Sequence, residues 1–224
     1  MAAVTVHLPA ALRDLSWWRS RLAVALGFVA GLAVAAVVLA TRDEDTRAQG
    51  IVWASTNLAN LGQHPVPALI ASAFVVADGD SAAWMVVAGV ALVALAWRLG
   101  PRRTLAVITA AHLLGTGVSE GVVAWRLHTG AAPSQARHLI DVGPSYVVVA
   151  ALVGAVIAGP WQARLVGAGG FALLAPSLFV GLTDLDVAAV GHVCAIAIGA
   201  GLTFLLRAGA ARSDGAVGPP LFPG

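Results

Sequence analysis

Apolar residues run through this chain in long blocks separated by short polar breaks. The blocks cover residues 22–41, 82–99, 104–125, 144–160, 165–183 and 187–206. Their lengths, about 17 to 22 residues, suit a hydrocarbon core of about 30 Å crossed at about 1.5 Å per residue. The pattern predicts an all-α polytopic membrane protein of six transmembrane helices spanning 22–206. Residues 1–21 then form a cytoplasmic segment. Residues 207–224, rich in Gly, Ala and Pro, form a disordered cytoplasmic tail. The first block follows Arg13, Asp14, Arg19 and Arg21, and no A-x-A site with a polar start comes after it. It therefore reads as an uncleaved first transmembrane helix and not as a signal peptide.

Residues 42–81 break the rhythm. They hold two apolar pieces, 51–61 and 66–77, each too short to span, divided by Gly62-Gln63-His64-Pro65-Val66-Pro67. A structureless loop of that length is unusual. The stretch is expected to be an embedded interfacial element between helices 1 and 2, with Trp53 and Trp84 near the interface.

Charge sets the orientation. With six spans, one side carries Arg13, Arg19, Arg21, Arg98, Arg102, Arg103, Arg164, Arg207 and Arg212. The other carries only Arg42, Arg47, Arg126 and Arg137, together with eight Asp or Glu residues. Nine Arg against four places both termini in the cytoplasm of a plasma-membrane protein.

Composition agrees. Hydrophobic residues make up 59% of the 224 residues and charged ones 11%, and the mean hydropathy is +0.87. That charge is too sparse to cover a soluble globule, which excludes a soluble enzyme, a disordered chain and a nucleic-acid-binding domain. The net charge of +2 offers nucleic acid no basic patch. All 13 basic residues are Arg, which points to a GC-rich genome. Cys194 is the single Cys, so an intrachain disulfide and a thiolate metal cluster are both excluded. The six His show no H-x-x-x-H pair. No metal, nucleotide, haem or other cofactor is expected.

Lipid offers no partner to polar groups, so the polar residues inside the spans carry the chemistry. The fourth span opens with Asp141-Val142-Gly143-Pro144-Ser145-Tyr146. Pro144 suits a first turn, and Ser145 then has free backbone N–H groups around it that can hold an oxyanion. Gly143 and Tyr146 flank it. Ser145 lies about 6 Å down its helix from Asp141, and His192 about 9 Å down the sixth span from Asp186. Both spans enter from the outer side, so the two can meet. A Ser hydroxyl beside a neutral imidazole is the minimum for nucleophilic acyl transfer. The plainer alternatives are a helix start with a Ser near the interface, and a His bonded to a backbone carbonyl. Gly191, Ala195 and Gly199 form a small-residue ridge that lets helices approach closely. On the third span Thr109, His112, Thr116 and Ser119 share a stripe, with Glu120 beside it. His112 and Glu120 are read either as interhelical bonding groups or as a proton relay. Cys194 reads as a small packing residue.

This pattern resembles the rhomboid family of intramembrane serine proteases. The likeness rests on Gly143-Pro144-Ser145-Tyr146, on His192-Val193-Cys194-Ala195-Ile196-Ala197-Ile198-Gly199, and on the basic turn Trp97-Arg98-Leu99-Gly100-Pro101-Arg102-Arg103. It covers about residues 22–206. It is nearest the divergent rhomboid-like membrane proteins of actinobacteria, which share a D-V-G-x-S-Y segment and a late G-H. The resemblance implies a six-helix bundle with an embedded loop between helices 1 and 2, a Ser145 nucleophile and a His192 base. It implies a transmembrane protein as substrate, entering past spans 2 and 5.

The chain also departs from the family pattern. Tyr146 stands where the family has Gly, and Ala195 where its His motif has Gly. The helix-2 oxyanion residues, H-x-x-x-N in the family, fall by gapless counting on Asp80 and Trp84. A Tyr that stacks on the family's catalytic His falls at Val149. Three functions follow: a serine endopeptidase of the rhomboid type, a rhomboid-fold pseudoprotease that binds membrane proteins without cleaving them, or a small proton-coupled transporter using His112 and Glu120. Each works in the lipid bilayer, and none needs nucleic acid or metal.

Overall fold

The computed structural model describes the backbone of residues 10–77 and 80–215 and the side chains of 18–77 and 80–209. It is all-helical. Helix α1 runs Ala10–Ala40, α2 Glu44–Ala54, α3 Leu58–Gln63, α4 Pro65–Ser72, α5 Ser81–His128, α6 Ser145–Ala158, α7 Trp161–Leu178 and α8 Val187–Gly215. Short 3-10 turns at Ser134–His138 and Leu182–Asp184 precede α6 and α8.

The six apolar blocks lie on α1, on the two arms of α5, and on α6, α7 and α8. The blocks at 82–99 and 104–125 share α5, whose 48 residues would reach about 72 Å if straight. Gly100 breaks it with φ 74° and ψ 171°, and Pro101 restarts it. Arg98, Arg102 and Arg103 are exposed around the break. Stretches of α1 (Trp18–Ala40), α5 and α8 (Val187–Gly209) are long and apolar enough to cross a bilayer. Helix α6 is shorter than its expected span, with 14 residues and a length of about 21 Å.

The terminal segments also depart from expectation. Helix α1 starts at Ala10, inside the expected 1–21 segment, since no Gly or Pro interrupts the sequence until Gly27. Helix α8 continues to Gly215, past the expected start of the tail at 207. Residues 1–9 and 216–224 lie outside the described residues.

Helix α6 is the axis of the fold, packed by α5, α7 and α8. It is apolar all round and mostly buried: Tyr146 to Leu152 are all buried, as are Gly154, Ala155 and Ala158, and only near its end does Val156 reach the surface. Helix α1 closes one flank. Its Val24, Ala25, Phe28 and Leu32 meet Ala88, Ala91, Leu92 and Leu95 of α5, both sets at helical spacing. Arg21 donates to the Trp97 carbonyl at 3.1 Å, and Trp18 packs edge-on to Trp97. The outward faces stay apolar, with Leu26, Val34, Val86, Leu165, Leu173, Phe204 and Leu205 all exposed. Water would penalise such a surface; lipid does not. This is the surface of a membrane protein.

The 42–81 segment folds as α2, α3 and α4. Asp43 caps α2 by accepting the Thr46 N–H at 2.9 Å. Asn60 holds the α2–α3 corner, its amide donating to the Val52 and Ser55 carbonyls at 2.7 and 2.8 Å. Trp53 is exposed and stacks on His64, with centroids 5.4 Å apart. Trp84 instead packs against the α1–α5 core.

Candidate active site

The segment leading into α6 is fixed before the helix starts. The Asp141 N–H donates to Ser55 Oγ at 2.9 Å, and the Thr56 N–H donates to the Asp141 carbonyl at 3.0 Å. The Gly143 N–H donates to the Ser72 carbonyl at 2.7 Å. Gly143 has φ 133°, a conformation that side chains rarely adopt. These bonds tie the chain to the α2–α3 corner and to the end of α4. Pro144 then caps α6, and the first intrahelical bond runs from the Val148 N–H to the Pro144 carbonyl at 2.9 Å. The N–H groups of Ser145, Tyr146 and Val147 therefore have no acceptor within the helix.

Helix α8 delivers His192. A tight turn at Gly181 and Leu185, both at positive φ, brings the chain back from α7. Asp186 caps α8, accepting the Ala188 N–H at 3.0 Å. His192 Nδ1 lies 2.9 Å from the Leu178 carbonyl, and Nε2 lies 2.9 Å from Ser145 Oγ. A carbonyl only accepts, so Nδ1 carries the proton. Nε2 is then the bare nitrogen, and it accepts the Ser145 hydroxyl proton. That tautomer equips the imidazole as a general base toward the hydroxyl.

Small residues permit this meeting. A Cβ at Gly191 would overlap the phenol oxygen and Cζ of Tyr146. A Cβ at Gly199 would stand 2.8 Å from Cα and Cβ of Ala150. Ala195, between them, is fully buried. The ridge of α8 thus faces α6. Gly154 of α6 abuts Leu95 and Thr203.

Tyr146 packs edge-on to His192, with ring centroids 5.2 Å apart and planes at 88°. Its hydroxyl lies 3.1 and 3.2 Å from the two Asp141 carboxylate oxygens and 3.3 Å from the Val187 carbonyl. Thr56 Oγ1 also reaches Asp141 Oδ2 at 3.3 Å. Burial pushes the Asp141 carboxyl up to about 6, against the pull of its bonds to Tyr146 and Thr56.

Residues Thr56, Ser72, His112, Asp141, Gly143, Ser145 and Tyr146 line a cleft with no room for a water-sized sphere. His112 Nε2 donates to the Leu69 carbonyl of α4 at 2.8 Å, which leaves Nδ1 without a partner. Glu120 is 3% exposed, and its Oε1 has no partner among the described residues. His112 and Glu120 do not bond to each other. Thr109, expected on their stripe, is exposed, whereas Thr116 and Ser119 are buried. Cys194 is half-buried.

Positions counted from the family pattern land elsewhere. Asp80 caps α5, accepting the Ala82 N–H at 2.8 Å. Val149 is fully buried in α6, one turn below Tyr146. The ring beside His192 is that of Tyr146 itself. The Leu178 carbonyl, as a backbone group, leaves no mark in the sequence. Ser55, Thr56 and Ser72 lie some seventy or more residues before Asp141 and Ser145, too far for spacing to connect them.

The chain matches no curated protein and no solved structure. The family model described as rhomboid-like protein matches residues 23–212, which takes in α2 to α7 whole and most of α1 and α8. With that match, the chain belongs to the rhomboid-like protein family.

Proposed function

We propose that this protein is an intramembrane serine protease of the rhomboid type that cleaves transmembrane proteins with a Ser145–His192 dyad. One observation carries the reading: Ser145 Oγ lies 2.9 Å from an imidazole whose other nitrogen is committed to the Leu178 carbonyl. In the acylation step Nε2 takes the hydroxyl proton as Oγ attacks the scissile carbonyl. The free N–H groups at the start of α6 hold the oxyanion. The imidazolium then protonates the leaving amine, and the C–N bond breaks. Water, deprotonated by the same nitrogen, hydrolyses the acyl-enzyme.

The membrane arrangement follows from the same reading. Helices α1, α6, α7 and α8 and the two arms of α5 are the six crossings, and α2–α4 are the embedded loop. Both termini lie in the cytoplasm of the plasma membrane. On this reading α6, only 14 residues long, starts below the outer surface, and water reaches Ser145 from that side.

A second reading is favoured by the closed cleft beside Ser145 and by Tyr146 in place of the family's Gly. It is a pseudoprotease of the same fold that binds transmembrane proteins without cutting them. Fluorophosphonate labelling of the detergent-purified protein separates the two, because it needs an activated hydroxyl. The protease reading expects labelling that Ser145→Ala abolishes and His192→Ala lowers at least 100-fold, a base contributing about 10²–10⁴. A folded wild type that does not label overturns it in favour of the binding protein.

A further inference from the structure

We propose that Asp141 is a positioning residue for the Ser145–His192 pair and acts through the hydroxyl of Tyr146. The inference rests on the protease reading.

A single bond from Nδ1 to the Leu178 carbonyl fixes one edge of the His192 ring. That bond alone lets the imidazole pivot about its own axis and swing Nε2 away from Ser145. The Tyr146 ring, edge-on at 5.2 Å, closes off this pivot. The phenol is held in turn at its far end. Both Asp141 carboxylate oxygens lie within 3.2 Å of its hydroxyl, and the space above Gly191 receives its Cζ and oxygen. Asp141 is itself immobile. Its N–H donates to Ser55 Oγ, its carbonyl accepts from both the N–H and Oγ1 of Thr56, and Thr56 Oγ1 also reaches its carboxylate. It is 7% exposed and has no Arg among its hydrogen-bond partners.

A buried carboxylate costs free energy unless its bonds return something. Here it accepts the one hydroxyl proton of the single tyrosine of the chain and so anchors that ring against the base. In a Ser–His–Asp triad the carboxylate orients the imidazole by direct contact with Nδ1. In this site a backbone carbonyl takes Nδ1, and the carboxylate acts one ring further away. The corner between α2 and α3 is thereby linked to the base through Ser55, Thr56, Asp141 and Tyr146.

The test is a double-mutant cycle on the full chain in detergent, using Tyr146→Phe, Asp141→Asn and the pair together. Should Asp141→Asn not fold, Asp141→Glu takes its place. A fluorophosphonate with measurable saturation separates its binding constant KI from the inactivation rate kinact. Each single variant is expected to lower kinact about tenfold with KI held within about twofold, since a small misplacement of a base is felt in the reacting step. The double variant is expected to be no slower than the slower single one. Effects that multiply in the double, or that fall wholly on KI, or an unchanged kinact, overturn the proposal.

A second readout does not depend on activity. The ring-proton resonance of His192, identified by its loss in His192→Ala, is expected to shift in both single variants and no further in the double. A wild type that does not label defeats the protease reading alone. The resonance then decides this proposal, and a signal unmoved by Asp141→Asn rejects it.

Discussion

The phenol of Tyr146 fills the space above Gly191 that a Cβ at position 191 would take. The two residues are 45 apart in sequence and lie on different helices. A bulky residue after the proposed nucleophile is possible only because this partner has no side chain. Gly191→Ala is expected to push α8 away from α6 at the depth of the dyad. Thermal unfolding in detergent should register a loss of about 1–3 kcal/mol, the usual cost of overpacking. Fluorophosphonate labelling should fall at least tenfold. Adding Tyr146→Ala should restore much of the stability but not the labelling. A Gly191→Ala variant that melts and labels like wild type would refute the relationship.

Gly199 makes a similar demand lower down. Its Cβ would meet Cα and Cβ of Ala150, and backbone cannot yield as a flexible side chain can. Gly199→Val is expected to lower the melting temperature more than Gly191→Ala. Gly201, two residues on, has nothing within 4 Å of its Cβ position. Gly201→Ala is expected to be neutral or to stabilise by up to about 1 kcal/mol through helix propensity. Melting curves of the two variants, run together, check both statements.

Asp141 gives stability a pH dependence. Its carboxyl titrates at about 6 in the folded protein, above the ordinary 3.8. The folded chain therefore holds this proton more tightly than the unfolded one. Its stabilising contribution is complete below the ordinary value and is lost as pH rises through about 6. The full excursion is worth up to about 3 kcal/mol. Wild type should melt at a higher temperature near pH 5 than near pH 7.5, and Asp141→Asn should make the difference smaller. Equal pH dependence in the two proteins would contradict the burial argument.

The proposed orientation is open to chemistry at single cysteines. In a Cys194→Ser background, Asp45→Cys should react with a membrane-impermeant maleimide in intact cells. Arg103→Cys should react only after permeabilisation. Both positions are exposed, so access to the reagent depends on sidedness. The reverse pattern would overturn the cytoplasmic placement of the termini.

Much of the fold was legible because lipid imposes a crude rule. Any helix facing hydrocarbon must be apolar over its whole length, so block lengths and the Arg between them trace the helices. Gly100, at positive φ, ends one arm of α5 and Pro101 opens the next, within the gap between the apolar blocks at 99 and 104. Other boundaries were less legible. Helix α6 ends at Ala158 because Gly159 and Pro160 stop it, two residues inside its apolar block. In the site, Ser145 and His192 stood out as polar residues in apolar helices. Thr109 matched them in pattern but is exposed, since a stripe on a helix does not say which way it faces.

The sequence by itself determined that this chain is a bundle of apolar helices with short polar turns, and which few polar groups those helices carry inward. Free energies of transfer act residue by residue, so composition and order suffice for that much. Tertiary structure alone decided the tautomer of His192, through a backbone carbonyl of α7. It also decided that Tyr146, rather than a residue one turn further on, packs against the imidazole. And it decided that Asp141 bonds to Ser55, Thr56 and Tyr146 at once. Hydrogen bonds and ring contacts depend on tenths of an ångström between helices far apart in sequence, and only close packing supplies those distances.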